Sequence, residues 1–576
     1  MRLGAIYDPK KGMCEFNVWA PHKKRVSLIL EDKEYSMSNF SGYWQTYIKA
    51  KPGARYYFKV DNLKRPDPAS RSQPLGVHGP SEIINPTFSW QDKNWENILL
   101  KNLIIYELHV GAFTKEETFE AIIPRLNDLK KTGINAIELM PIAQCPGKRN
   151  WGYDGVFPFA VQNSYGGASQ LKKLVNACHK KGIAVILDVV YNHLGLEGNY
   201  LNDYAPYFTD NYKTPWGPAI NFDDSYCDEV RDFFIENALY WLKEFHMDGL
   251  RLDSVPSIFD LSARPFLMQL SERIEKEVDK KVHLIAESYI NKSALIKSRK
   301  SGGYGLNAEW LEDFHRALHS LITGECAGYY LDYGSLGKLV KCINHGHVFD
   351  GLYSKYYKKS YGDSSKSLPS ERFIVFTQNH DQVGNRIYGE RLSKLTDFSG
   401  LKMAAGVMFL SSYIPLIFMG EEYAETNPFL YFTNHSDKAL IKAVRDGRKK
   451  ELHQFGFKGT PPNPQSSDTF NDSKLSWEKR NRGRHKVMKR FYSELIRLRK
   501  KYGGKTTAKT KDGLLILEKP KVFAIFNFSD STKIYKATGR KIFDSDGKRW
   551  IGNNKVTNQK ITLAPKSFII VKNGKA

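Results

Sequence analysis

The sequence predicts an α/β protein: a (β/α)8 TIM barrel with an N-terminal β-sandwich module and a C-terminal antiparallel β-domain. Three observations predict it. At 576 residues the chain exceeds what one hydrophobic core organises. The apolar period changes along it, from short alternating strands to strand–helix alternation, and back to alternation from Leu514. The middle section also holds eight short strand candidates, the number a closed barrel needs.

In residues 1–95 the segments CEFNVWAP, KRVSLIL, YWQTYIKA and ARYYFKV are separated by Gly, Pro and Lys-Lys turns, as in a small β-sandwich. Arg65 to Ile83 is expected to strap it to the barrel. The barrel should span 96–505. Its strands are expected at Leu103–Val110, NAIELMPI, Ile183–His193, Gly249–Leu252, Val282–Ser288, GLNAEW near Leu306, RFIVFTQNHDQ and YIPLIFMGEEY. Helices are expected at FEAIIPRLNDLKKTGI, from Ala168 to Lys181 and from Asp228 to Phe245. The stretch at about 193–228 is too long for an ordinary βα loop and predicts an inserted lobe walling the cleft. Residues 506–576 form the third unit, through LLILEK, VFAIFNF, KIFDSD, KITLAP and SFIIVK.

The net charge of +24 raises the question of a nucleic acid or an anionic surface. The basic residues are mostly lysines spread along the chain. The densest stretch, Lys474 to Lys509, carries a helical stripe of Val487, Phe491, Leu495, Leu498 and Tyr502, so its charges read as the solvated face of a docked helix. No nucleic-acid or membrane partner is expected. Six cysteines without CxxC spacing argue for reduced thiols, with no disulfide frame and no metal site. MRLGAIYDPKKG lacks a signal-peptide core and no stretch approaches a membrane span, so a cytoplasmic protein is expected.

Several strand candidates end in polar residues. The third ends in Asp188 and runs on to Asn192 and His193; the fourth ends in Arg251 and Asp253; the fifth in Glu287; the seventh in His380 and Asp381. A barrel brings all these tips to one face. Arg251 shares a strand face with Asp253 and should hold it ionised, although a structural Arg–Asp pair gives the same local pattern. Glu287 follows Leu284-Ile285-Ala286 and faces other carboxylates, so its pKa should rise. These two suit retaining glycoside hydrolysis, with Asp253 as nucleophile and Glu287 as acid/base. Asp381 would grip sugar hydroxyls and strain the ring, and His193 and His380 would donate hydrogen bonds to the same sugar. Weaker candidates for lining the cleft are Trp151, Tyr153 and Asp154 after the second strand, Trp216 in the inserted lobe, and Phe429 and Tyr431 beyond the eighth.

DVVYNH (Asp188–His193), GLRLDSV (Gly249–Val255), AES (Ala286–Ser288) and QNHDQ (Gln378–Gln382) resemble, in order, the four sequence regions of the α-amylase superfamily. Further segments narrow the resemblance: YELHVGAFT, NWGYDGV, TPWGPAINFD, DFHRALHSLITGE, NHDQVGNR and MGEEYAETNPFLYFTNHSD. Together they are similar to the maltooligosyltrehalose trehalohydrolase family, over nearly the whole chain. The resemblance implies hydrolysis of the α-1,4 bond next to a terminal trehalose unit, in trehalose biosynthesis. It implies Asp253, Glu287 and Asp381 as catalytic residues, with Gln382 and Arg386 joining the substrate-binding set. It also implies no cofactor, and a maltooligosyltrehalose synthase as pathway partner for a monomer or homodimer. Asn192 stands where some amylases ligate calcium, but no full set of oxygen ligands accompanies it. Asn307 and Glu309 depart from the family pattern near the sixth strand, as do Ser254 and Ser288-Tyr289 after the nucleophile and acid.

Two alternatives stand beside this reading. A glucan branching enzyme shares the module, barrel and carboxylates but transfers the glycosyl group to a sugar hydroxyl. A more remote one is an inactive amylase-like scaffold or a basic nucleic-acid-associated protein.

Overall fold

The computed structural model describes residues 2–536, 539–552 and 561–573. Its centre is a closed barrel of eight parallel strands in sequence order. They are β1 (Ile105–Leu108), β2 (Ala136–Leu139), β3 (Ala184–Val189), β4 (Gly249–Leu252), β5 (His283–Ala286), β6 (Ala308–Trp310), β7 (Phe373–Phe376) and β8 (Ile414–Phe418). Every residue of these strands is buried, because helices cover the outside and side chains fill the inside. That double burial is why they read as apolar runs rather than alternations.

Several strands are shorter than expected. β1 stops at Leu108 because the next residues, Val110–Phe113, form a helical turn capped by the His109 ring, which accepts from the Ala112 amide. β3 stops at Val189, and Asn192 and His193 lie in the loop beyond it. The helices follow their apolar stripes. In α1 (Gly167–Lys180) Leu171, Leu174, Val175 and Cys178 face inward. In α2 (Cys227–Glu244) and α3 (Phe266–Glu277) the buried residues recur in the same three-and-four rhythm, whereas in α4 (Glu312–Thr323) the whole stretch from Glu312 to Ser320 is buried. α5 (Phe398–Leu410) is apolar all round because it lies between the barrel and the C-terminal sheet. It approaches so closely that a Cβ on Gly406 would lie 2.5 Å from the Phe568 ring. α6 (Gly483–Lys501) buries Met488, Phe491, Tyr492, Leu495, Ile496 and Leu498; Arg484, Lys486, Arg490, Arg497, Lys500 and Lys501 form its solvated face, whereas Lys489 and Arg499 are half-buried.

The N-terminal module is two packed antiparallel sheets, one built on Met13–Trp19 and Tyr43–Lys49, the other on Val26–Leu30 and Arg55–Val60. The inserted lobe pairs Phe208–Thr214 with Gly217–Ile220. It docks on the module: Arg65 meets Asp203 at 2.6 Å and Trp19 packs edge-on against Tyr207. The C-terminal unit is a five-stranded antiparallel sheet with a two-stranded companion. The expected strand at KITLAP is Ile561–Leu563; its first residue, Lys560, lies outside the described residues.

The barrel interior is layered. Ile105, Ala136, Ile186 and Ile285 belong to an apolar floor that Trp310 and Phe376 complete. Two residues further along the same strands stand Glu107, Glu138, Asp188 and Glu287, with Arg251 two beyond Gly249. The strand period of two thus sets a charged layer directly upon the apolar one, at the C-terminal end.

Candidate active site

Arg251 is the centre of that layer. It is fully buried, stacked over Trp310 at 4.3 Å, and bonded through Nη1 to both oxygens of Asp188 (2.9 and 2.8 Å) and to Oδ1 of Asp253 (2.7 Å). Its Nη2 lies 3.8 Å from Oε2 of Glu287. Oδ2 of Asp253 accepts from the Asn192 amide at 2.8 Å. Both oxygens of Asp253 are therefore oriented by donors from β4 and the β3 loop. Burial raises the Asp188 pKa to about 7, with Arg251 opposing and Asp253 adding to the rise.

Ser254, next to Asp253, has φ +36, a left-handed conformation that a residue with a Cβ adopts at a cost. The turn aims its N–H at Oε2 of Glu287, 2.6 Å away. Burial pushes the Glu287 pKa up to about 8; Asp253, Asp381 and Glu312 add to the rise and Arg251 opposes it. A carboxyl whose pKa stands near 8 retains the proton a general acid needs, and one fixed by a guanidinium and an amide has the orientation a nucleophile needs.

Asp381 lies in the first turn of the short helix His380–Gly384, which Asn379 and Gln382 close with a capping box, and is the most exposed of the three carboxylates. His380 beside it bonds Glu107 through Nδ1 (2.5 Å) and the Tyr153 hydroxyl through Nε2 (2.8 Å). Burial opposes protonation of His380, but Asp381 and Glu107 outweigh it and raise its pKa to about 9. Tyr153 also donates to Asp188 (2.7 Å) and stacks on His380. Asp253, Glu287, Asp381, Arg251, Asp188, Asn192, Tyr153 and His380 are thus brought into one contiguous network.

Other sequence-predicted residues have different surroundings. Both His193 nitrogens face protein oxygens, the Tyr153 carbonyl (2.9 Å) and Asn192 Oδ1 (2.5 Å), and its face is covered by Trp216 at 4.4 Å. The ring therefore fixes two loops rather than presenting a free donor. Trp216 keeps its outer face open, being 42 % exposed. Asp154 accepts from Asn150 (2.7 Å) and lies 3.7 Å from His435. Gln382 donates to Glu312.

The donor role expected of His193 and His380 toward a sugar needs correction, since both ring nitrogens of each face protein atoms, and three further expectations need it too. Arg386 does not offer its guanidinium to the cleft: both Nη groups bond Glu325, at 3.0 and 2.6 Å, because Glu325 follows α4 directly beside it. Trp151 and Phe429 do not line the cleft either; they stack on each other, buried, as packing.

Four site residues escaped the sequence reading. Glu107 anchors His380. Glu138 is fully buried with both oxygens unpartnered among the described residues, and burial, reinforced by Glu107 and Asp188, drives its pKa well up. Burial likewise raises Glu312, 9 % exposed and beyond β6, to about 7, with Asp381 adding and Arg316 opposing. Trp310 forms the bed of Arg251. Period two, read inward from Ile105, Ala136 and Ala308, would have found Glu107, Glu138 and Trp310; Glu312 opens α4 and lies beyond the reach of that period. Glu309 points outward instead and pairs with His347.

Among the described residues no cluster of His, Cys, Asp or Glu is arranged to hold a metal.

The α-amylase catalytic-domain model matches residues 111–216, and that of carbohydrate-binding module 48, the isoamylase N-terminal domain, matches residues 2–72. The malto-oligosyltrehalose trehalohydrolase of Saccharolobus solfataricus is 48% identical, over 92% of this chain and 94% of its own. A solved structure from Salmonella typhimurium, described as an alpha amylase, superposes with a TM-score of 0.91 at 35% identity, covering 99% of both chains. A 1,4-alpha-glucan branching enzyme of Clostridium perfringens is only 28% identical, over 73% of this chain and 68% of its own. With a fold, a charged layer and a whole-chain likeness that agree, the protein belongs to the malto-oligosyltrehalose trehalohydrolase family of α-amylase-like enzymes.

Proposed function

We propose that this chain is a retaining α-glycosidase that cleaves the α-1,4 bond next to the terminal trehalose of a maltooligosyl trehalose. The observation that carries the mechanism is the division of two neighbouring carboxyls by one guanidinium. Arg251 holds Asp253 at 2.7 Å, while Glu287 on the next strand keeps its proton to about pH 8.

In the first step an Asp253 oxygen bonds the anomeric carbon as that carbon's bond to the trehalose oxygen breaks. The electron pair goes to the leaving oxygen, which takes the Glu287 proton, and trehalose departs. In the second step Glu287, now a carboxylate, takes a proton from water. The water oxygen bonds the anomeric carbon, and Asp253 is released. Asp381 contacts the sugar ring from the third side of the bowl. Asp188, Asn192, Tyr153, His193 and His380 position these groups through the bonds described, and Trp216 offers an exposed ring face to a sugar. Asp154 and Gln382 are held at the edge of the same bowl. The reaction consumes only water and the substrate. Among the described residues no helix is long and apolar enough to cross a membrane, and the substrate's supplier is a synthase that builds the 1,1-linked end.

The test is product analysis with maltotriosyl trehalose in one tube and maltopentaose in another. Free trehalose plus maltotriose, with maltopentaose cut far more slowly, is expected. Longer or branched glucans without trehalose would instead establish a transferase.

A further inference from the structure

At the face opposite the active site, the N-terminal mouth of the barrel meets the C-terminal domain around a recess of about 1010 Å³. Its walls come from the residues just before β1, β2, β7 and β8, from the end of α6, and from the C-terminal sheet. That volume lies at the upper end of what small-molecule sites occupy.

The lining is strongly one-signed. Lys101, Lys366, Arg499, Lys500, Lys505 and Lys519 face it, and among the described residues Glu371 is its sole carboxylate. None of the six cations is ion-paired among the described residues, although lysines and arginines elsewhere in the chain find carboxylates repeatedly. Arg499 and Lys500 have a local explanation: they sit in the last turn of α6, where the helix dipole favours cations, and Arg499 donates to the carbonyls of Phe409, Ser411 and Tyr413. Lys519 has none. It is 8 % exposed, and the hydrogen bond its ammonium makes is a long one, 3.4 Å, to the Gly504 carbonyl. A buried ammonium without a counter-ion is costly, and burial, with Arg499 adding, lowers the Lys519 pKa to about 7. Burial alone lowers Arg499 to about 10.

We propose that this recess is a binding site for a small anion carrying two or more phosphate groups, held by the buried Lys519 together with Lys101, Lys366, Lys500 and Lys505. Separate lysine point charges match an anion with charge at several points better than a single carboxylate, and Ser367 and Ser370 add hydroxyls to the wall. Such a ligand would supply the counter-charge that Lys519 lacks and account for part of the net +24 that the hydrolytic chemistry leaves unexplained.

Isothermal titration calorimetry on the whole protein, at constant ionic strength, tests it with inorganic tripolyphosphate, ATP and sulfate. One tripolyphosphate per chain, bound at least tenfold tighter than sulfate, is expected. Lys519→Gln should weaken it about tenfold or more, since one charge-assisted contact is worth that much. Lys366→Ala should weaken it a few-fold, and Lys24→Ala on the N-terminal module should not change it. ATP binding tighter than tripolyphosphate would identify a nucleotide as the ligand; equal binding would identify the phosphate chain alone. Because the active site is on the other face, Lys519→Gln should keep full hydrolytic activity, which also reports that it folds. Sulfate binding as tightly as tripolyphosphate, no binding of either, or binding untouched in an active Lys519→Gln protein would overturn the proposal.

Discussion

Replacing Glu287 by Gln should stabilise the protein at alkaline pH and leave it unchanged in acid. Burial and three neighbouring carboxyls raise the folded-state pKa of Glu287 from 4.5 to about 8. Below pH 4.5 the folded and unfolded chains both carry its proton, and the group costs nothing. Between 4.5 and 8 only the folded state holds the proton, so wild-type stability declines as pH rises through that window. At about 1.4 kcal/mol per pH unit the decline reaches about 5 kcal/mol by pH 8, as a ceiling. Gln does not titrate and escapes it, while its amide oxygen can still accept the Ser254 N–H that Glu287 accepts at 2.6 Å. With an unfolding entropy of about 2.1 cal/mol/K per residue, a chain of 576 residues converts this into a gain of about 4 °C in Tm. The assay is Tm of both proteins from pH 4.5 to 8.5. The same variant should lose about 10³-fold in kcat, the usual contribution of a positioned acid. A constant Tm difference across the range, or a less stable Gln variant at pH 8, would refute the assignment of a raised pKa to this carboxyl.

Three further outcomes follow from the same geometry. kcat/KM should fall as pH rises through about 8, where Glu287 loses the proton it must donate, and a pH–rate profile with no limb near 8 would exclude it as the acid. Arg251→Met leaves Asp188 and Asp253 buried without their cation and should cost about 3–5 kcal/mol in denaturant unfolding; a loss below about 1 kcal/mol would mean the network does not depend on it. Gly152→Ala places a Cβ 2.2 Å from the Pro141 carbonyl at φ +106, which should cost about 1–3 kcal/mol, displace Tyr153 and raise KM; unchanged Tm and KM would show that the loop accommodates the methyl.

Much of this was legible in the residues. β4 has the bounds the sequence predicts, because Asp248 and Asp253 bracket a four-residue run with no other plausible register. The three carboxylates and Arg251 were legible because each lies at or just beyond the C-terminal end of an expected barrel strand, and a barrel brings such ends together. What was not legible depended on long-range partners. Nothing near Arg386 in sequence indicates that Glu325, 61 residues earlier, takes both its Nη groups. The inward turning of both His193 nitrogens depends on how the Tyr153 loop closes over it. Trp151 and Phe429 are aromatics on loops, and only the packed structure separates a ring under the cleft from a ring facing it. Glu107 and Glu138 were missed for a different reason: attention to strand ends overlooked the inward-facing positions, where a carboxyl inside an apolar run is the anomaly; Glu312, the first residue of α4, carries no such strand signal.

The most direct test of the central claim is covalent trapping. Glu287→Gln protein, incubated with α-maltosyl fluoride, needs no acid to expel fluoride but lacks the base that would activate water. Peptide mass spectrometry should then find a maltosyl ester on Asp253, within the segment GLRLDSV. Fluoride release without any adduct, or an ester on Asp188 or Asp381 instead, would contradict Asp253 as the nucleophile.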